Sequence, residues 1–598
     1  MGNAAIAKGA IAAGLNLVCG YPGTPSTEVL ETAAKAGDGS LYAEWSVNEK
    51  AALELGAGAA YCGARTMVTM KQVGLNVASD PLMSLAYIGV KGGMVIVVAD
   101  DPGPISSQTE QDTRSFAAYS KLPCFDPSSV QEAYDMIQDA FEYSERYHTP
   151  VLFRPTTRVC HGYASVTVKD REEYSVNKPE SFVRDPSKWV IFPRLSYQAH
   201  INIEARNAEL QTVFSQYSHN TVTSAADSQC RKGIATHGIS STYTAEALQG
   251  QAAPRLLKIA TPFPFPEQLA VDFLKDLDEV LCIEELDPVI ERELTYLCGK
   301  HHLNVSIRGK LTHDVKNAGE NTCASVAENI AKFMGWEQPA APAVDTPPPL
   351  PVRPPVLCAG CPHRASFYAV KQAMKGQKAV LCGDIGCYTL GNAMPLDMVD
   401  TCLCMGAGVN ITQGIGKIEP DTVCFAFVGD STFFASAITG AVNAVYNQAN
   451  MTLVVLDNST TAMTGHQPHP GTGRTVMGQV VDKVSIEAVL KGVGVHTVET
   501  VDPLELDKAV ETVRRVSAES GVKSIIFKSP CAVLIKPERP AEINSDTCVQ
   551  CKCCIKELGC PGIVLRDGKV AVEQSLCTGC GLCTQVCPTR AISTGGAD

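Results

Sequence analysis

The sequence predicts an α/β protein of several doubly wound domains, with a small cysteine-rich module near its end. The chain has 598 residues, which is too long for one hydrophobic core and corresponds to about three to five domains. Short apolar runs alternate with helical patterns over most of this length, which is typical of parallel sheets covered by helices. Nine cysteines fall within the forty residues from 548 to 587.

The composition excludes several classes of protein. Hydrophobic residues make up 45% of the chain and charged residues 19%, a globular balance that excludes a largely disordered protein. The net charge is −13 and there is no basic block, so we expect no nucleic-acid partner. No stretch approaches the ~18 consecutive apolar residues of a membrane helix, so we expect no membrane association. The 25 cysteines, without a recognisable signal peptide, predict a cytoplasmic, metal-binding protein.

The first predicted domain covers residues 1–170. Apolar runs at 15–19, 66–70, 94–98 and 150–153 predict buried parallel strands, and residues 48–61 and 130–145 predict helices. The next predicted region, 171–338, is a linking segment, polar and without clear elements to about 225, followed by a smaller α/β domain with strands at 256–260, 279–283 and 304–307. Residues 339–355 contain eight prolines, which predicts a semi-rigid linker.

A third α/β domain is predicted at 356–535, with strands at 379–382, 423–428, 453–456 and 524–527. A second linker that contains Pro537 and Pro540 leads to the terminal module at 543–598. The order of elements therefore predicts three α/β domains and one small cysteine-rich domain.

The terminal module carries two cysteine runs of the bacterial ferredoxin type, C-x2-C-x2-C-x3-C-P, although the last spacing of the first run is five residues. In this pattern the fourth cysteine of each run serves the neighbouring cluster. The runs predict one 4Fe–4S cluster on Cys548, Cys551, Cys554 and Cys587, and another on Cys560, Cys577, Cys580 and Cys583. Cys553 has no predicted role. Structural zinc sites are the alternative, which the double run with two Cys-Pro ends disfavours.

Two polar residues follow neighbouring predicted strands of the third domain. Asp430 follows the strand at 423–428, and Asn458 follows the strand at 453–456. A right-handed crossover between them makes the strands parallel neighbours, so both side chains emerge at one carboxyl edge. A carboxylate and an amide oxygen there suit Mg²⁺ holding a diphosphate, although the two residues can also merely end their strands.

This spacing resembles the thiamine diphosphate motif, in which Gly-Asp-Gly is followed at a similar interval by Asn. Ser431 replaces the last glycine, and 26 residues separate it from Asn458. The resemblance implies cofactor contacts from Gly429, Asp430, Ser431, Asn458 and Thr460. It also implies Mg²⁺ ligands from Asp430, Asn458 and the backbone carbonyl of Thr460.

Thiamine enzymes also need a glutamate from another α/β domain, and Glu49 opens a predicted helix directly after a predicted strand at 41–45. A carboxyl group there can hydrogen-bond the cofactor's aminopyrimidine and favour deprotonation of its thiazolium carbon. The alternative is a solvated glutamate favoured by the helix dipole.

With these parts, the chain resembles the large subunits of indolepyruvate:ferredoxin oxidoreductases, within the 2-oxoacid:ferredoxin oxidoreductase superfamily. The resemblance spans essentially the whole chain and rests on the motifs Gly20-Tyr21-Pro22-Gly23-Thr24-Pro25-Ser26, Lys71-Gln72-Val73-Gly74-Leu75-Asn76, Ser106-Ser107-Gln108, Cys358-Ala359-Gly360-Cys361-Pro362-His363-Arg364, Met463-Thr464-Gly465-His466-Gln467 and the ferredoxin tail. Gln72 stands where the family suggests a histidine, and His466 where related enzymes carry a glycine. Both are candidate substrate contacts, and Thr24 is a candidate contact to the 2-oxoacid carboxylate.

The resemblance implies two thiamine-diphosphate-binding domains, pyrimidine-binding at 1–170 and diphosphate-binding at 356–535, a domain like the transketolase C-terminal domain and a ferredoxin-like domain. It implies an anaerobic enzyme for oxidative decarboxylation of aryl 2-oxoacids, such as indole-3-pyruvate, to acyl-CoA and CO2. Electrons would pass through the clusters to an external ferredoxin. A smaller β subunit would complete the substrate and coenzyme A site, with a heterotetramer as the expected assembly.

Three alternatives to this function remain open: the same chemistry on pyruvate, phenylpyruvate or 2-oxoglutarate, a non-oxidative thiamine decarboxylase, and a non-catalytic electron-transfer subunit. The resemblance also implies a third cluster, held by Cys358, Cys361, Cys387 and Cys531. A thiol-rich core is the alternative there, because cysteine is commonly buried.

Overall fold

The computed structural model describes residues 1–36, 39, 41–337 and 350–595. The chain divides into two compact units, Met1–Asp345 and Thr346–Asp598. The predicted proline-rich linker lies outside the described residues from 339 to 349, and its remaining residues, 350–355, form no helix or strand. Within the described ranges, no helix combines the length and the apolar character needed to cross a bilayer.

The first unit begins with a six-stranded parallel sheet in the order β2-β1-β3-β4-β6-β5. Its strands are β1 Leu17–Gly20, β2 Tyr42–Trp45, β3 Thr66–Lys71, β4 Met94–Ala99, β5 Cys124–Phe125 and β6 Val151–Phe153. The helices along this part of the chain are α1 Gly2–Ala12, α2 Thr27–Ala36, α3 Glu49–Tyr61, α4 Gln72–Val77, α5 Ser79–Ile88, α6 Thr113–Ser120, α7 Val130–Tyr147, α8 Thr157–His161, α9 Pro186–Trp189 and α10 Pro193–Phe214. The five predicted strands, including the one at 41–45, agree with β1, β2, β3, β4 and β6 to within two residues.

The topology of this sheet creates a crevice at the carboxyl end of β1. The neighbours of β1 are β2 on one side and β3 on the other, so the winding of the chain reverses there. Ligands bind parallel sheets at such a reversal. The loop that follows Gly20, the end of β3 at Lys71 and the beginning of α3 at Glu49 all belong to this region.

The second sheet of this unit has the order β11-β10-β8-β9-β7, with β7 antiparallel to its neighbour. Its elements are β7 Thr221–Thr223, β8 Lys232–His237, α11 Gly238–Ala247, β9 Arg255–Ile259, α12 Glu267–Leu274, β10 Glu279–Ile283, α13 Val289–Lys300, β11 Ser306–Arg308 and α14 Cys323–Met334. Helix α10 and strand β8 were not predicted. In α10 only Ile203, Asn207, Leu210 and Phe214 are buried, so its first half lacks the apolar periodicity that signals a helix.

The carboxyl ends of the two sheets in this unit are joined by buried charges. The Arg114 guanidinium donates to Asp112 Oδ2 at 2.7 Å and to Glu284 Oε2, after β10, at 2.9 Å. His237, which ends β8, has its Nδ1 2.6 Å from Asp126 Oδ2. All five side chains are almost fully buried. Such charges persist in a core only when they are paired, so this network holds the two sheets together.

The second unit contains a five-stranded parallel sheet in the order β12-β13-β14-β16-β15. Its strands are β12 Ala379–Cys382, β13 Val423–Gly429, β14 Met451–Asp457, β15 Thr497–Val501 and β16 Val522–Lys528. Its helices are α15 Pro362–Ala373, α16 Ala407–Ile418, α17 Asp430–Thr432, α18 Ile438–Tyr446, α19 Ile486–Gly492 and α20 Leu506–Ser517, and a π-helical segment Phe433–Ala437 joins α17 to α18. The four predicted strands correspond to β12, β13, β14 and β16, and β15 was not predicted.

The terminal module packs on the core of the second unit. It consists of two antiparallel ladders, β17 Glu542–Ile543 with β20 Ile592–Ser593 and β18 Ile563–Arg566 with β19 Lys569–Val572, and of the short helices α21 Cys553–Lys556 and α22 Leu582–Val586. The Arg364 guanidinium of α15 donates to the carbonyl of Leu558 in this module at 2.5 Å. The module therefore forms one unit with the third sheet.

Candidate active site

Glu49 is a buried acid at the carboxyl edge of the first sheet. It is the first residue of α3, after Asn48, whose side chain caps the helix by accepting from the backbone N–H of Ala51 at 2.8 Å. Glu49 is 9% exposed, and its burial raises the carboxyl pKa to about 7, while its own backbone N–H and the nearby Lys71 oppose this rise. Within the described residues, no other side chain hydrogen-bonds its carboxyl group.

Gly74 forms the wall against Glu49. A Cβ atom at Gly74 would lie 2.5 Å from Glu49 Oε1, so only glycine leaves room for this carboxyl group. A buried acid without a side-chain partner among the described residues, accommodated by a glycine, fits the requirement for a glutamate facing the aminopyrimidine.

The predicted substrate residues of the first unit lie beside this edge. Thr24 is half-buried in the turn after β1, which Ser26 Oγ closes by donating to the carbonyl of Gly23 at 2.9 Å. Gln72 is buried, and its amide donates to the carbonyl of Thr109 and accepts from the N–H of Asp101 at 3.0 Å. Both ends of the Gln72 amide are therefore hydrogen-bonded to the loop between Asp101 and Thr109. The predicted substrate contacts of Thr24 and Gln72 stay predictions.

In the second unit, Asp430 and Asn458 end the neighbouring parallel strands β13 and β14. Asp430 Oδ1 accepts from the N–H of Ser431 at 2.9 Å, and Oδ2 accepts from the N–H of Ser459 at 2.8 Å. Asn458 Oδ1 accepts from the N–H of Thr460 at 3.3 Å. Asp430, Ser431, Asn458 and Thr460 are all buried. A carboxylate and an amide oxygen at one edge belong to the hard oxygen ligands that Mg²⁺ prefers.

Two histidines for which the sequence predicted no role contact this edge. His469 Nε2 lies 3.1 Å from Asp430 Oδ2, and His363 Nε2 lies 3.2 Å from Asn458 Nδ2. Burial lowers the pKa of His363 to about 4, so its ring is neutral at physiological pH. His466, a predicted substrate contact in the same loop region, is exposed. His363 belongs to the motif at 358–364, but nothing in the sequence predicted its contact with Asn458 or the contact of His469 with Asp430.

Tyr388 supports the turn that precedes Asp430. Its hydroxyl donates to Asp384 Oδ2 at 2.8 Å and lies 3.2 Å from Thr432 Oγ1. A Cβ atom at Gly429 would come within 2.6 Å of the Tyr388 ring. Gly429 is therefore required by packing, in addition to its predicted place in the diphosphate motif.

The four cysteines of the predicted third cluster are neighbours in the second unit. Burial raises the pKa of Cys361 to about 12, with Cys358 and Cys387 adding to this rise, and Cys531 and Cys358 act likewise on Cys387. The N–H of Cys531 donates to the carbonyl of Asn458 at 3.0 Å. The thiol set therefore adjoins the Asp430–Asn458 edge, and the third cluster stays a prediction.

The terminal module contains two separate cavities lined by cysteines. One cavity, of about 320 Å³ with its open mouth, is lined by Cys548, Cys551, Cys553, Cys554 and Cys587. The other, of about 490 Å³, is lined by Cys560, Cys577, Cys580, Cys583 and also Cys361. Each cavity contains one of the two predicted ligand sets, including its crossed fourth cysteine, and one further cysteine, Cys553 in the first cavity and Cys361 in the second. In the described part of the chain, no three His, Cys, Asp or Glu side chains are arranged around a single metal ion.

Comparisons with known families match three parts of the chain. Residues 8–229 match the thiamine-diphosphate-binding domain of pyruvate flavodoxin/ferredoxin oxidoreductases. Residues 384–526 match the C-terminal TPP-binding domain of thiamine pyrophosphate enzymes, and residues 570–593 match the 4Fe-4S binding domain. These matches confirm the predicted fold class.

Individual relatives match over much longer spans. Indolepyruvate oxidoreductase subunit IorA of Archaeoglobus fulgidus is 38% identical over 611 residues, with 99% of this chain and 96% of the relative covered. The protein of the same name from Methanothermobacter thermautotrophicus is 39% identical over 613 residues, with 100% and 97% covered. The 2-oxoglutarate synthase subunit KorA of Methanocaldococcus jannaschii is 32% identical over only 193 residues, which are 30% of this chain and 51% of the relative.

A solved structure is also similar to this chain. It is the 2-oxoglutarate:ferredoxin oxidoreductase from Magnetococcus marinus, with 2-oxoglutarate, coenzyme A and succinyl-CoA bound. The likeness covers 55% of this chain and 64% of that chain, at 16% identity and a TM-score of 0.43.

Proposed function

We propose a function from one premise: the chain belongs to the indolepyruvate oxidoreductase subunit IorA family. Relatives of that name match it over nearly their whole length. The chain is thus a subunit of an enzyme for oxidative decarboxylation of 2-oxoacids, with thiamine diphosphate and iron–sulfur clusters as cofactors. This agrees with the function predicted from the sequence.

The substrate we propose is an aryl 2-oxoacid such as indole-3-pyruvate. The names of the full-length relatives support this choice, whereas the 2-oxoglutarate relative matches less than a third of the chain. In the reaction, the 2-oxoacid and the thiol of coenzyme A give an acyl-CoA thioester, CO2 and a proton, and two electrons leave one at a time for ferredoxin.

Glu49 is proposed as the acid that serves the cofactor in the first unit. Thiamine diphosphate, when bound, supplies a carbon nucleophile and an electron sink for the 2-oxo group. Glu49 would hold and release a proton at the aminopyrimidine nitrogen, and a pKa of about 7 suits this exchange near neutral pH. Gly74 keeps the carboxyl face open for that contact.

The diphosphate would be held in the second unit, by Gly429, Asp430, Ser431, Asn458 and Thr460. Asp430, Asn458 and the carbonyl of Thr460 are the proposed protein ligands of Mg²⁺. The backbone N–H groups at the beginning of the continuous helix from Asp430 would add favourable partners for the phosphate oxygens.

The three sets of cysteines support an electron-transfer path made of iron–sulfur clusters. We propose 4Fe–4S clusters on both ferredoxin-like sets and a third on Cys358, Cys361, Cys387 and Cys531. Cys361 belongs to the third set and also lines the cavity of Cys560, while Cys531 contacts the Asn458 loop. The third cluster would thus lie between the diphosphate edge and the terminal module.

Other components of the enzyme are proposed from the family. A smaller β subunit would complete the site for substrate and coenzyme A, the assembly would be a heterotetramer, and an external ferredoxin would accept the electrons. The proposed location is the cytoplasm.

One observation carries the proposal: a single chain holds the buried Glu49 carboxyl, the Asp430–Asn458 edge and two cysteine-lined cavities. The test is anaerobic reduction of a viologen dye by the enzyme co-expressed with its smaller subunit. The substrates are indole-3-pyruvate, phenylpyruvate, pyruvate and 2-oxoglutarate, each with and without coenzyme A.

We expect dye reduction that depends on coenzyme A, with the highest kcat/KM for an aryl substrate. Preference for pyruvate or 2-oxoglutarate would replace the substrate we propose. Release of aldehyde and CO2 without dye reduction would support a non-oxidative decarboxylase instead.

A further inference from the structure

Lys71 is a cation at the crevice of the first sheet for which the proposed mechanism has no role. It is the last residue of β3, and its Nζ donates to the carbonyl of Ser106 at 2.7 Å. Its aliphatic stem passes under the turn after β1, because a Cβ atom at Gly23 would lie 3.0 Å from both Lys71 Cγ and Cδ. Lys71 thus contacts the turn that carries Thr24 and the loop that carries Ser106.

Among the residues that the structure describes, no carboxylate pairs with the ammonium group of Lys71. No Asp or Glu oxygen in the described parts of the chain lies within 4 Å of Nζ. Glu49 and Asp101 are near enough to favour the charged form, yet burial outweighs them and lowers the pKa of Lys71. An ammonium group has three donors, and the Ser106 carbonyl takes one. A partly desolvated cation therefore has donors left for an anion.

We propose that Lys71 binds the carboxylate of the 2-oxoacid substrate, together with the hydroxyl of Thr24. The inference rests on the proposed function and adds a specificity residue to that site. Lys71 contacts two segments, the Thr24 turn and the Ser106 loop. It also interacts electrostatically with Glu49 at the beginning of α3. A substrate carboxylate in this crevice would pair with the Lys71 ammonium group. It would then lie near Glu49, the acid proposed to serve the cofactor.

This placement predicts an effect on substrate binding before chemistry. The carboxylate is lost as CO2, so its pairing with Lys71 belongs to the bound substrate and weakens as the reaction proceeds. Loss of one charge-assisted hydrogen bond should therefore raise KM for the 2-oxoacid by about 10- to 100-fold, with a smaller change in kcat.

Two other roles for Lys71 make different predictions. If Lys71 only holds the Ser106 loop in place, its replacement should raise KM and lower kcat for every substrate, and it should lower the melting temperature. If it only tunes the charge on Glu49, the pH profile of kcat should move while KM stays unchanged.

The experiment uses the assembled holoenzyme with Lys71→Met, which keeps the stem without the charge, and Lys71→Arg, which keeps the charge. Lys91→Met is the matched control. Lys91 precedes β4 at the opposite, amino end of the same sheet, and its Nζ pairs with Glu180 at 2.6 Å. Viologen reduction gives kcat and KM for indole-3-pyruvate, across pH, and for indole-3-acetaldehyde, which lacks the carboxylate.

We expect Lys71→Met to raise KM for indole-3-pyruvate as stated, Lys71→Arg to restore most of it, and Lys91→Met to match the wild type. Oxidation of the aldehyde, where the wild type shows it, should be equal in the wild type and Lys71→Met. An unchanged KM for indole-3-pyruvate in Lys71→Met, or equal losses with both substrates, would overturn the inference. A wild-type enzyme inactive on every 2-oxoacid would instead refute the proposed function.

Discussion

Replacing Glu49 by glutamine tests the first half of the proposed site in two independent ways. The variant keeps the size of the side chain and removes its acid. At pH 7 a carboxyl group with a pKa of about 7 is about half protonated, whereas one at the ordinary 4.5 is protonated in about one molecule of 300. Because proton exchange contributes roughly 100- to 10,000-fold to such reactions, we expect Glu49→Gln to lose at least about 100-fold in kcat while still binding thiamine diphosphate.

The burial of Glu49 also predicts that the Glu49→Gln variant is more stable than the wild type. The unfolded carboxyl group ionises near pH 4.5 and the folded one near pH 7, so this group lowers the free energy of unfolding as pH rises through that window. The loss amounts to about 2 kcal/mol at pH 6 and about 3 kcal/mol at pH 8. Glutamine carries no charge and avoids this cost. The cofactor-free Glu49→Gln chain should therefore melt at a higher temperature than the wild type, with the larger difference at pH 8.

Glu54→Gln is the matched control, since Glu54 lies on the same helix, is exposed and pairs with Lys50. It should leave kcat and the melting temperature nearly unchanged. Near-normal turnover of Glu49→Gln would refute the proposed proton transfer. A melting temperature at pH 8 that is unchanged or lower would contradict the argument from burial.

Three further predictions concern the other parts of the chain. Asp430→Ala should abolish Mg²⁺-dependent binding of thiamine diphosphate in calorimetry, because it removes the only charged oxygen ligand proposed for the metal, and unchanged affinity would refute that role. Iron analysis of the anaerobically purified chain should give about twelve Fe, falling to about eight in Cys358→Ala and in Cys531→Ala; a count of eight in all three proteins would eliminate the third cluster. Arg114→Met should lower the free energy of unfolding by about 3–5 kcal/mol, because it leaves two buried carboxylates without their cation, whereas Arg231→Met, at an exposed ion pair, should leave it nearly unchanged.

Local patterns in the sequence were sufficient to predict most of the strands and to locate the two cysteine runs of the terminal module. Strands such as β4 are buried along their whole length, so their apolar runs stand out without knowledge of the fold. The cysteines of each ferredoxin run lie a few residues apart because one small loop must wrap one cluster. Asp430 and Asn458 were also predictable, since consecutive parallel strands bring their carboxyl ends to one edge.

Residues brought together from distant parts of the chain required the tertiary structure. Helix α10 was missed because half of it faces solvent, so it shows little periodicity. The contact of His469 with Asp430 and the passage of Lys71 beneath Gly23 depend on which strands and loops become neighbours. Sequence periodicity records which face of an element is buried, but it does not record what packs against that face. The sequence alone therefore determined most of the buried strands and the spacing of the cysteine runs, and the tertiary structure decided which polar side chains meet at the crevice.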